Sequence, residues 1–178
     1  MDGKLKQLGK HQVKTAILVD GGFYRKRAKY LYGSKSPKER AEELTEYCYK
    51  HLHDQYEHRY LYRIFYYDCP PTDKNLYNPL TQKNEHLKKS EEYSWMNDFL
   101  DELKHRRKFA LRLGHLSESQ LAYYINPDAT KKLLKGELSI QDLTQQNLSL
   151  NIEQKGVDMR IGCLLYTSPS PRDSTSSR

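Results

Sequence analysis

Three aspartates in this chain stand where a strand gives way to a turn, and they are the residues whose placement could do chemistry. Asp20 closes the apolar run Ala16-Ile17-Leu18-Val19 and opens into Gly21-Gly22-Phe23-Tyr24. Asp68 closes Ile64-Phe65-Tyr66-Tyr67 ahead of Cys69-Pro70-Pro71, and Asp158 follows Lys155-Gly156-Val157. Carboxylates that converge at neighbouring strand ends repel one another, and a hard divalent cation with oxygen ligands relieves that repulsion. Such a cation polarises a phosphate, generates hydroxide and orients the substrate, which is the chemistry of phosphodiester hydrolysis. Each aspartate also has a plainer reading. Asp20 can cap the segment that follows it through its side chain, and Asp68 before a Pro-Pro turn can be a turn residue.

These carboxylates need a scaffold that brings strand ends together. Four apolar residues without alternation at 16–19 suit a strand covered on both faces, as in a parallel α/β sheet, and ligands of such sheets sit outside the carboxyl ends of the strands. The pattern predicts strands over Val13–Val19, Arg59–Tyr67, Phe109–Leu113 and Leu148–Ile152. A helix is predicted from Lys38 to Tyr56, with Ala41, Leu44, Cys48 and Leu52 inward and Ser36-Pro37 as start signals. A second, long helix is predicted from Gln82 to Arg107, with Leu87, Trp95, Phe99 and Leu103 inward. Segments Asp128–Lys135 and Ser139–Gln146 read as short helices or loops. Strands alternating with helices argue for a parallel α/β sheet.

Composition narrows the partners. Lys and Arg number 30 against 23 Asp and Glu, a net charge of +7, which tilts toward a polyanion without requiring one. Arg25, Lys26, Arg27 and Lys29 interleave with Tyr24, Tyr30 and Tyr32 directly after Asp20, a mixture suited to phosphate contacts and base stacking on single-stranded RNA. A solvated helix face whose tyrosines pack on the core explains the same residues. The basic run Lys104 to Lys108 also complements a helix C-terminus. Cys48 and Cys69 lack the spacing of a disulfide framework or a zinc site, and no stretch has the length of a membrane span. A cytoplasmic location without membrane attachment is the expectation.

The last residues read differently. Cys163-Leu164-Leu165-Tyr166-Thr167-Ser168-Pro169-Ser170-Pro171-Arg172-Asp173 matches, in order, a frame of a sequencing adaptor read as protein. Segments of that kind stand outside fold reasoning. The expected organisation is a flexible N-terminus over 1–12, one α/β domain over 13–162, and a non-native disordered tail over 163–178. Without the tail the balance is 28 basic to 22 acidic residues, so the basic character belongs to the domain.

Ile17-Leu18-Val19-Asp20-Gly21-Gly22-Phe23-Tyr24, then Ile64-Phe65-Tyr66-Tyr67-Asp68 with Pro70-Pro71, then Lys155-Gly156-Val157-Asp158 together resemble the NYN domain family, a branch of the PIN-like nucleases. The likeness spans nearly all of 13–162. It implies a PIN-like α/β three-layer fold with a central, mostly parallel sheet, here incomplete at its C-terminal end, and RNA cleavage dependent on Mg2+ or Mn2+. Carried over by position, Asp20 and Asp158 are the catalytic and metal-binding carboxylates. Lys155 falls toward the phosphate backbone, and Asp68 ranks lower as structural or substrate-side; Arg25, Lys26 and Tyr24 are substrate-side candidates from the basic, tyrosine-rich segment itself. The family places a further Asp near position 164, where this chain has Leu164, and a later acidic strand end. The resemblance therefore implies a ribonuclease whose present form lacks carboxylates needed for activity. The alternative of a different class is a non-catalytic RNA-binding or regulatory module on the same fold. A nucleotide site at Asp20-Gly21-Gly22 is weaker, because no G-x-G-x-x-G follows the strand. RNA is the expected partner, and homo-oligomerisation is left open.

Overall fold

A computed structural model describes residues 12–53, 58–157 and 160–163, and for residues 12, 58, 118–120 and 153–155 the backbone alone. Expectations for 1–11, for the 163–178 tail beyond Cys163, and for Asp158 lie outside the described residues. The chain forms two compact units, one of Met1–Asp68 with Asp98–Arg112 and the other of Cys69–Asn97 with Leu113–Arg178.

The first unit is built on a parallel sheet of three strands. β1 (Gln12–Asp20) lies beside β2 (His58–Asp68), and β2 lies beside β5 (Phe109–Leu113). The register pairs Ile17 with Ile64, Leu18 with Phe65 and Asp20 with Tyr67. Both aspartates therefore emerge at the same end of adjacent strands. The core gathers on β2, where Ile64, Tyr66 and Tyr67 are fully buried, together with Leu44 and with Phe99 and Leu103. Tyr66 meets Phe99 edge to face, with ring centroids 5.8 Å apart, and pairs of this kind contribute about 0.5–1.5 kcal/mol beyond area burial.

Two helices follow β1. α1 (Gly21–Tyr32) begins at once, with no intervening loop, and stops at Gly33, whose φ of 71° is the left-handed conformation that glycine adopts without penalty. α2 (Pro37–Lys50) starts where the sequence signals it: Ser36 accepts from the Glu39 backbone, Glu39 reaches back to Ser36, and Pro37 occupies the first turn. Ala41, Leu44 and Cys48 are buried as expected, whereas Leu52 lies beyond the helix, which ends at Lys50 rather than Tyr56.

The second unit carries two antiparallel pairs. β3 (Asn75–Asn78) and β4 (Lys83–His86) form a hairpin, and β6 (His115–Ile125) pairs with β7 (Leu148–Lys155). The parallel sheet is thus smaller than expected and shares the molecule with antiparallel strands. The single helix expected over 82–107 is also corrected. Residues 83–86 belong to the hairpin, Gln82 adopts φ 54° in its turn, and α3 (Glu91–His105) begins only after Ser90, whose hydroxyl accepts from the Tyr93 backbone at 3.1 Å. The hairpin prevails because Asn78, fully buried, anchors it. Its amide donates to Glu85 and Gln145, and its carbonyl accepts from the backbones of Leu80 and Thr81. Glu85 also accepts from the Tyr123 hydroxyl at 2.6 Å. Burial and that carboxylate push the Tyr123 phenol up to about 12. α4 (Pro127–Leu134) is capped by Asn126 and followed by two 3-10 turns over Ile140–Asp142 and Gln145–Asn147.

Candidate active site

Asp20 does both things that its position suggests. It is the last residue of β1 and the N-cap of α1, its Oδ1 accepting from the Phe23 backbone at 2.9 Å, and the residue is exposed. A carboxylate there also complements the positive end of the helix dipole. Its other oxygen has no hydrogen-bond partner among the described residues, so the group remains open to solvent and to a ligand.

Asp68 has the opposite environment although it leaves the neighbouring strand at the same end. It is fully buried and held by a two-bond clasp from Arg25 on α1, Nε to Oδ2 and Nη2 to Oδ1, each 3.0 Å. The Tyr66 hydroxyl adds a third bond at 2.8 Å. A carboxylate removed from water costs several kcal/mol unless such partners compensate it, roughly as this fork does. Burial and the adjoining carboxylate push the Tyr66 phenol well up, so it stays a donor. This places Asp68 in a structural lock that fastens α1 to the end of β2.

Gly21 makes the lock possible. A side-chain carbon at that position would overlap Asp68 Oδ2 and the Tyr66 ring. Gly21→Ala is expected to force α1 off the strand end and cost about 1–3 kcal/mol, read as a lowered urea midpoint. An unchanged midpoint would show that the helix can shift without loss.

The remaining candidates fall as follows. Lys26 is exposed on α1. The Tyr24 hydroxyl donates to Glu43 Oε1 at 3.0 Å and to the Arg40 carbonyl at 3.2 Å. Burial is the main cause that raises its phenol, followed by the bond to Glu43. Glu43 also receives Lys35 and Arg40, each at 2.7 Å. Burial opposes its charge, but these hydrogen bonds outweigh it and hold the carboxyl below the usual range. Arg25 and Tyr24, expected on the substrate side, therefore spend their polar atoms on anchoring α1. Lys155 ends β7 in the second unit.

The sequence did not signal the Arg25–Asp68–Tyr66 network. Tyr66 and Asp68 do share one face of β2 by the two-residue strand period, which was a usable clue. Nothing local announces Arg25. Also unannounced is a cleft of about 620 Å³ between β1, α1 and α2, with Asp20 on its wall.

A divalent cation takes hard oxygen ligands, and the exposed Asp20 carboxylate has that chemistry. Among the described residues no group of three or more His, Cys, Asp or Glu side chains gathers that could complete such a site, and Asp158 lies outside them. No helix among the described residues is long and apolar enough to cross a membrane. No protein-family model, curated protein or solved structure matches the chain.

Proposed function

We propose that this chain is the scaffold of a divalent-metal-dependent ribonuclease of the NYN, PIN-like type. The observation that carries the reading is the place of Asp20, an exposed carboxylate at the carboxyl end of a parallel strand and at a helix N-terminus. That is where α/β folds of this kind hold their ligands. Asp20 and Asp158 would hold Mg2+ or Mn2+, which when bound supplies charge neutralisation at the phosphate and a hydroxide nucleophile. The protein's own contribution is positional. The Arg25–Asp68 clasp fixes the first turn of α1 and with it the Asp20 carboxylate, while Lys26, exposed on α1, is available to the phosphate backbone. The chain as written has Leu164 where the resemblance implies a further carboxylate, so its own turnover is expected to be negligible.

The test compares two polypeptides on labelled RNA in Mg2+ or Mn2+: the present chain, and one in which the source DNA's own frame continues past Gly162. Chelator-sensitive cleavage by the second alone supports the reading. A continued frame that lacks acidic residues, or that encodes them without cleavage, overturns it. A second reading, an RNA-binding module without catalysis, is favoured by one observation. Asp20 is already employed as a helix cap and Asp68 as an ion-pair partner, so the described carboxylates have structural work that needs no metal.

A further inference from the structure

β1 is the outermost strand on one side of the parallel sheet, and among the described residues only β2 pairs with it. Its other edge is a row of backbone groups open to a further strand. Natural proteins blunt such edges with Lys, Pro or a bulge. β1 has no Lys or Pro across Thr15–Val19, and at its one register shift the extra residue, Tyr62, belongs to β2. The cleft between β1, α1 and α2 opens on this edge. Four consecutive residues, Ile17 to Asp20, line it. Successive strand residues point to opposite faces, so a wall made of all four follows the backbone edge and not one face. The rim carries Phe23, Leu31, Tyr32 and Tyr47, all exposed, an apolar border of the kind that marks a protein contact. The charged lining is balanced, Arg27, Lys35 and Lys50 against Asp20, Glu43 and Glu46. A contacting surface without strong net charge suits it, and a second copy of the same surface has that property.

β1 is also complementary to itself. When two copies of one strand pair antiparallel about a two-fold axis, opposite residues share a face of the sheet. With Ile17 on the axis, Ala16 meets Leu18, Thr15 meets Val19, and Lys14 meets Asp20, once on each side of the axis. Moving the axis to Ala16 sets Lys14 against Leu18, and moving it to Leu18 sets Lys14 against Gly22, which already belongs to α1. Lys14 and Asp20 are both exposed. The Asp20 Oδ1 holds the Phe23 backbone, which leaves the other oxygen to receive an ammonium group. Opposite charges directly across a strand pair stabilise it, and like charges destabilise it.

We propose that the free edge of β1 pairs with β1 of a second copy of this chain, joining two three-stranded sheets into one continuous sheet with Ile17 at the two-fold axis. Because that axis stands perpendicular to the sheet, α1 and α2 of both copies lie on one face and their exposed rings border the axis. The inference goes beyond the ribonuclease reading and does not rest on it. The pairing engages the Asp20 oxygen that a cation would otherwise take, so the paired form is one without metal at Asp20.

The test is sedimentation of the 178-residue chain across a concentration series, where a dimer of twice the 21.1 kDa chain mass is expected. Lys14→Asp puts carboxylates on both sides of each contact, and Asp20→Lys puts ammonium groups there. Each variant alone is expected to dimerise about 10-fold or more weakly, since two contacts turn from attractive to repulsive. An equimolar mixture of the two variants restores opposite charges at both contacts and is expected to form the heterodimer. That rescue separates the contact from a loss of folding, because two misfolded chains would not recover on mixing. Carbodiimide coupling of the unaltered chain, mixed from light and heavy isotopes, gives a second reading. Lys14 and Asp20 of one copy stand about 20 Å apart along the strand, so an amide bond between them joins two copies and is expected in mixed-isotope peptides. A monomer throughout the series, or a dimer unmoved by both reversals with couplings confined elsewhere, overturns the proposal. Couplings of Lys14 and Asp20 that stay within one chain show instead that a segment of the chain itself covers the edge, and particles that keep growing with concentration show open-ended association. The proposal falls in either case.

Discussion

Asp20→Asn is expected to leave the fold in place and remove cleavage. Asparagine caps a helix as well as aspartate does, so the bond to the Phe23 backbone survives and α1 keeps its start. The change takes away the negative charge, which costs about 0.3–1 kcal/mol against the helix dipole. It also takes away an anionic ligand. Substituting groups that merely orient a metal ligand typically costs 10–100-fold, so loss of a direct ligand is expected to lower metal-dependent turnover by about 100-fold or more. The measurement is turnover of labelled RNA by the chain continued in its own frame, with anisotropy in parallel. Affinity is expected to stay within a few-fold, because the cation-bearing and aromatic side chains are unchanged. Asp20→Ala separates the two roles from the other side, since it also removes the cap and adds about 0.5–2 kcal/mol of destabilisation. Full turnover by Asp20→Asn would leave Asp20 as a cap alone and overturn its assignment as a metal ligand.

The largest stability effect is expected at Asp68. Asp68→Ala strands the Arg25 guanidinium, three-quarters covered, and leaves the buried Tyr66 hydroxyl without its acceptor. Breaking one side of a buried pair typically costs about 3–5 kcal/mol. That is a large share of the 5–15 kcal/mol that holds an ordinary domain together. Arg25→Ala is expected to cost a comparable amount, because it leaves the fully buried Asp68 carboxylate without its counter-charge. The double variant is expected to fall short of the sum of the two, by about 0.5–3 kcal/mol of coupling. Urea unfolding of the four proteins reads all three quantities. A cost below about 1 kcal/mol for Asp68→Ala would mean that the carboxylate is hydrated and the lock contributes little.

The comparison of sequence with structure turns on how far apart the deciding residues lie. Strands at 13–19, 59–67 and 109–113 were legible because each is a run of apolar and aromatic residues bounded by polar ones. The start of α2 was legible because Ser36, Pro37 and Glu39 form a local cap. α1 was not, since Tyr30 and Tyr32 face outward and Tyr24 alone turns inward, which gives no inward stripe to read. β6 was not, because Ser117, Ala122 and Tyr124 acquire a strand's meaning only when β7 arrives to pair with them. The start of the helix expected over 82–107 gave way to a hairpin held by Asn78, whose partner Gln145 is 67 residues distant.

The same division runs through the candidate site. Order along the chain determined that Asp20 and Asp68 each end a strand, because an apolar run followed by a carboxylate and a turn is a local pattern. Only the tertiary structure decided that they differ in kind. Parallel pairing set the two strand ends side by side, the missing side chain of Gly21 let α1 close over Asp68, and Arg25 arrived from 43 residues away to neutralise it. Burial and charge compensation depend on what packs above a residue, and for these two aspartates that neighbour comes from a different part of the chain.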